Sequence, residues 1–184
     1  MSALETLETL IDRPESLGAA EKPAGLGRAG LLGYFAGALG LFMFLRLESA
    51  VPPGALSFLA VFAFLLAANF FFAGVIHLFM DLTGAAAGPG GAARLFLAFG
   101  CSDFLATLLV PLGFLDKADF FSGALGFFVF VLALIYARVR LVRRLYPVSN
   151  NKALLAVWLP YAGLAAVFFS GLVYGIIWLV WLIA

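Results

Sequence analysis

Five apolar runs, at residues 29–45, 56–80, 95–115, 120–137 and 153–184, take up most of this 184-residue chain. Each is long enough to cross a hydrocarbon core of about 30 Å as a helix, which takes roughly 17–25 residues. Inside lipid the backbone has no water to bond, so only helices and closed barrels cross it. The runs are continuously apolar and do not alternate as barrel strands do. With 65% hydrophobic and 11% charged residues, a water-soluble globule could not bury its own apolar surface; soluble domains carry about 25% charged residues. The expected fold class is all-α: a polytopic membrane protein with five transmembrane helices. One membrane domain over 29–184 follows a segment, 1–28, that holds a short amphipathic helix. The fifth run reads as a single span. Its Trp158 and Trp178 stand about 30 Å apart along a helix, the spacing of two interfacial aromatics, and Pro160 falls near its start.

Charge sets the expected orientation. Arg13, Lys22, Arg28, Arg94, Arg138, Arg140, Arg143, Arg144 and Lys152 fall on the side of the N-terminus, against Arg46 and Lys117 on the other. Cytoplasmic segments carry the excess of Lys and Arg, so the N-terminus is expected in the cytoplasm and the C-terminus outside. The first residues, with Glu5, Glu8, Asp12, Glu15 and Glu21, lack the basic start and apolar run of a cleavable signal peptide. Targeting is then expected to rest on the first span. Ser2 and Glu5 have capping-box spacing, and Leu4, Leu7, Leu10 and Ile11 share a helical face before Pro14. This acidic segment suits docking on the arginine-rich stretch between spans four and five.

Few residues carry chemistry. The single histidine, His77, shares a helical face with Asp81 but has no second imidazole, which makes a poor metal site. The lone Cys101 offers neither disulfide nor cluster. Gly84 through Gly91 lacks the lysine and hydroxyl of a phosphate loop and reads as a flexible hairpin. No catalytic residue, metal site or cofactor is expected. Among polar residues placed in the spans (Asn69, Ser102, Asp103 and Thr107), Asp103 is the deepest ionisable one. Asn69 lies at similar depth on the antiparallel neighbouring span, so a hydrogen-bonded Asn69–Asp103 pair is predicted. No basic residue is expected at that depth. On that reading Asp103→Asn should insert and function normally, and Asp103→Leu should harm assembly. Arg138, Arg140, Arg143 and Arg144 are expected at the cytoplasmic headgroups, as contacts for anionic lipid or for the N-terminal segment. Gly33 with Gly37, and Gly171 with Gly175, put small residues one turn apart for close helix packing, within the monomer or between copies.

From residue 56 to 175 the order of features resembles the Yip family, small multispanning membrane proteins named for interaction with Ypt/Rab GTPases. A span ends in Ile76-His77-Leu78-Phe79-Met80. A glycine-rich loop leads into Ala92-Ala93-Arg94. A hairpin of spans follows and ends in a basic stretch. Val148-Ser149-Asn150-Asn151-Lys152-Ala153 then opens the last span, with Pro160 shortly after. For a bacterial-type member, the resemblance implies a five-span protein of the cytoplasmic (inner) membrane with a non-enzymatic role in membrane organisation or trafficking. It does not extend to Rab partners. The expected function is thus a non-catalytic scaffold acting through protein and lipid contacts, alone or as a homo-oligomer, with no nucleic-acid partner. The alternative is a small proton-coupled transporter or channel.

Overall fold

The computed structural model describes residues 25–85 and 91–183, and these are helical with short connections and no strand. Helix α1 spans Leu26–Leu47 and α2 spans Ala55–Leu82. The third span is compound: α3, Gly91–Asp103, passes through a 3₁₀ turn at Phe104–Leu108 into α4, Leu109–Lys117. Helix α5 spans Gly123–Leu145 and α6 spans Asn150–Ile183. The five helical segments so formed are each long and apolar enough to cross a membrane, so the chain is an all-α, multi-pass integral membrane protein. The amphipathic helix predicted within residues 1–28, with Glu5, Glu8 and Asp12, lies almost wholly outside the described residues, as does the middle of the glycine-rich loop.

The break in the third span has a chemical cause. Pro111 has no N–H for the Thr107 carbonyl, and its ring crowds that carbonyl. Two hydroxyls just before it also bond back to the backbone: Ser102 Oγ donates to the Phe99 carbonyl at 2.7 Å and Thr107 Oγ1 to the Phe104 carbonyl at 2.8 Å. Such bonds compete with the α-helical ladder and bend it. The helix tightens to 3₁₀ geometry between Asp103 and Leu109 instead of running straight.

At the bundle's centre α1 lies along the compound third span, with α2 and α5 flanking the pair. One end carries Arg28, Arg94, Arg140, Arg143, Arg144 and Lys152, and is called the basic end below. The other holds the α4–α5 hairpin. There Ser122 caps α5 by accepting from the Leu125 N–H, and Asp116 accepts from the Gly123 N–H. Helix α6 enters at the basic end between α2 and α5. Ala153, Ala156, Val157 and Pro160 are its buried residues, and every residue from 162 to 183 is exposed within the monomer. Its 34 residues amount to about 51 Å of helix, well beyond one hydrocarbon core. The change from packed to unpacked falls at Pro160, which lacks the N–H for the Ala156 carbonyl and is a recognised cause of kinks.

Helix α5 differs from expectation. The apolar run ends at Ala137, but the helix continues to Leu145. Apolar Val139, Leu141, Val142 and Leu145 alternate with the arginines, and Val139, Leu141 and Val142 are buried. The helix is therefore amphipathic at its end, with the basic residues divided between two faces.

Candidate functional site: a buried polar cluster

A seam of glycines sets the site's position. Gly30, Gly33, Gly37 and Gly40 of α1 face the backbone of the third span. A Cβ at Gly37 would lie 2.5 Å from the Asp103 carbonyl oxygen, one at Gly30 would lie 2.5 Å from that of Leu97, and one at Gly33 would overlap the Gly100 carbonyl. Gly100 reciprocates, facing the Gly30 carbonyl and the Tyr34 ring. With no side chains between them, the two backbones touch, and Asp103 is held at the end of α3 with its side chain turned toward the other helices. The second glycine pair does not share this role: a Cβ at Gly171 or Gly175 would meet no atom within 4 Å.

Two other helices bond that carboxylate, and α6 joins the cluster through Arg138. Asn69 of α2 donates from Nδ2 to Asp103 Oδ2 at 2.6 Å, the predicted pair, and also to its own Leu65 carbonyl at 3.0 Å. Arg138 of α5 donates from Nη2 to Asp103 Oδ1 at 2.7 Å and to Asn69 Oδ1 at 2.5 Å. Its Nη1 donates to Tyr161 Oη of α6 at 3.2 Å. The guanidinium carbon lies 4.8 Å from the Phe99 ring centroid and 5.8 Å from that of Phe72. Tyr34 of α1, fully buried, donates to the Phe96 carbonyl at 2.5 Å and lies within electrostatic reach of both charges. Asn69, Asp103 and Arg138 are only 2%, 2% and 3% exposed.

Arg138 overturns two expectations. Its guanidinium is buried among the described helices and not open to headgroups, and a basic residue does complete the pair at depth. The reason is helical phase. Arg138 falls in register with Ile135, Val139 and Val142, the inward face of α5. Helical side chains lean toward the N-terminus of their helix, which here points the guanidinium deeper, toward Asp103. A lone charge at this depth costs about 3 kcal/mol or more; the ion pair, the amide and two aromatic faces together offset it. The expectation that Asp103→Asn is silent falls as well, since it would leave the guanidinium without a counter-charge.

The remaining expected residues separate. Lys152 Nζ donates to the Thr83 carbonyl at 2.9 Å and so closes the end of α2. Arg144 is half-buried, whereas Arg140 and Arg143 are exposed. His77 Nδ1 lies 2.8 Å from Tyr146 Oη, a link from α2 to the residue that ends α5. Burial, then the nearby Asp81 charge, pushes the Tyr146 hydroxyl up to about 12, so it stays protonated and able to donate across the ordinary pH range. Tyr34 and Tyr161 are members of the cluster that sequence reasoning missed. Comparison with protein-family models, curated proteins and solved structures found no match for this chain.

Proposed function

We propose that this is a non-catalytic integral membrane protein, resembling the Yip family, that serves membrane organisation as a scaffold through protein and lipid contacts. The observation that carries this reading is the engagement of the Asp103 carboxylate by its own chain. Both carboxylate oxygens and the Asn69 amide are bonded to groups from other helices of the same chain. A carboxylate bonded on both oxygens by neighbouring helices suits a lock that specifies how helices assemble better than a site that must exchange protons or ligand. Proteoliposomes with an internal pH dye test it. The wild type is expected to leak protons no faster than empty vesicles under a pH gradient. A flux that vanishes in Asp103→Asn would replace the scaffold by a proton-coupled transporter, the reading that an intramembrane acid otherwise favours.

In this proposal the basic end faces the cytoplasm, in the inner membrane of a bacterium, and the support is the excess of Lys and Arg at that end. A reporter active only outside the cytoplasm is expected to work when fused after Ala184 and to fail when placed between Tyr146 and Asn150. Cytoplasmic activity at the C-terminus would overturn the orientation.

A further inference from the structure

We infer that one exposed face of α5 is a binding site for an anionic phospholipid of the leaflet at the basic end, with Arg140 and Arg143 taking the headgroup. Tyr136, Arg140 and Arg143 stand at i, i+4 and i+7, so they share one face of the helix. Val129 and Leu132 continue the same face toward the bilayer centre. Val129, Leu132 and Tyr136 are all large and exposed, and Arg140 and Arg143 are exposed as well. From Val129 to Arg143 the face measures about 21 Å, close to one leaflet of a bilayer that is about 40–45 Å thick with its headgroups. Read along that length it is apolar, then amphipathic, then doubly cationic. A phospholipid has the same profile: acyl chain, glycerol level and charged head.

The Arg140 side chain supports this placement. Its guanidinium carbon lies 5.7 Å from the centroid of the Tyr136 ring, one turn deeper. The cation is thus folded back toward the membrane, over an aromatic of the kind enriched at headgroup level. Among the described residues no carboxylate pairs with Arg140 or Arg143. Guanidinium groups bind phosphate oxygens through paired N–H donors. Two of them a turn apart favour a head with net negative charge over a zwitterionic one, whose ammonium they would repel. Of the other basic residues nearby, Arg138 pairs in the core, Lys152 bonds the end of α2 and Arg144 is half-buried. The site therefore rests on the phase of α5 and not on the total charge of the stretch.

The inference deepens the scaffold reading by naming a lipid partner, and rests on it only for treating this face as a contact surface. Its test is separate from the proton-flux experiment. The full chain is reconstituted with phosphatidylcholine and a minor fraction of phosphatidylglycerol, and the boundary lipid is compared by electron spin resonance of spin-labelled forms of each. The wild type is expected to prefer phosphatidylglycerol, with each arginine worth about fivefold in occupancy. Arg140→Gln/Arg143→Gln is expected to abolish the preference without changing thermal stability, and Arg46→Gln at the other end to leave it intact. A wild type without preference, or a preference that survives the double substitution, overturns the site. So does a preference that appears only after charge reversal of Glu5, Glu8 and Asp12, since that result would give the face to the N-terminal segment. In each of those cases the proton-flux result, and with it the scaffold reading, stands unaltered.

Discussion

Arg138→Leu is expected to destabilise the folded protein by about 3–5 kcal/mol, and Asp103→Leu by a similar amount, because each leaves a buried charge without its partner. The pair is 2.7 Å apart and nearly inaccessible, so water cannot compensate the survivor. Asp103→Leu/Arg138→Leu should recover most of the loss, since apolar residues often replace a buried ion pair at little cost. Asp103→Asn should fall between the wild type and the leucine variant: its oxygen can still accept from Arg138, but its NH2 group faces the donating Asn69 Nδ2, and the attraction between charges is lost. The measurement is unfolding in mixed micelles, read as a double-mutant cycle. If the two leucine-class effects simply add, within about 0.5 kcal/mol, the ion pair does not couple the helices and the lock is elsewhere.

The part of this cluster that was legible in the sequence is the part set by length and connectivity. Spans two and three are joined by a short loop and run antiparallel, so counting residues from the loop places Asn69 beside Asp103. Arg138 was hidden by a boundary. The apolar run stops at Ala137, and four arginines after it read as one water-facing group. What distinguishes them is phase. Arg138 keeps the register of Ile135 and Val142 and turns inward, whereas Arg140 and Arg143 occupy the face of Tyr136. That periodicity was available in the sequence, since Val139, Leu141, Val142 and Leu145 extend the apolar pattern beyond the run. Tyr161 was a different case. Its distance from Arg138 depends on how α6 leans across α2 and α5, and no local pattern encodes a packing angle. The 3₁₀ turn was half legible: Pro111 announces a disturbance one turn upstream, but its extent is set by Ser102 and Thr107 bonding back to the backbone.

The glycine pairs, alike in spacing, are expected to differ sharply when filled. Gly33→Ala and Gly37→Ala should each cost about 1–3 kcal/mol, the range for overpacking a tight interface, with Gly33 the worse of the two. A methyl at Gly33 would overlap the Gly100 carbonyl carbon and oxygen, and one at Gly37 would meet the Asp103 carbonyl oxygen at 2.5 Å. These neighbours are backbone, so relief requires α1 and the third span to move apart. That movement carries Asp103 away from its partners on α2 and α5, and links seam to cluster: Gly37→Ala should also weaken the coupling measured between Asp103 and Arg138. Gly171→Ala and Gly175→Ala should not destabilise the monomer and should gain up to about 1 kcal/mol of helix propensity, since nothing lies within 4 Å of either position. Reversible unfolding in micelles gives all four values. Cross-linking of the intact protein in membranes gives a second reading for the α6 pair, because loss of a dimer in Gly171→Leu with unchanged monomer stability would assign that pair to contacts between copies. Equal destabilisation by all four alanines would contradict the seam, for helix propensity favours alanine over glycine and only the approach of two backbones separates the pairs.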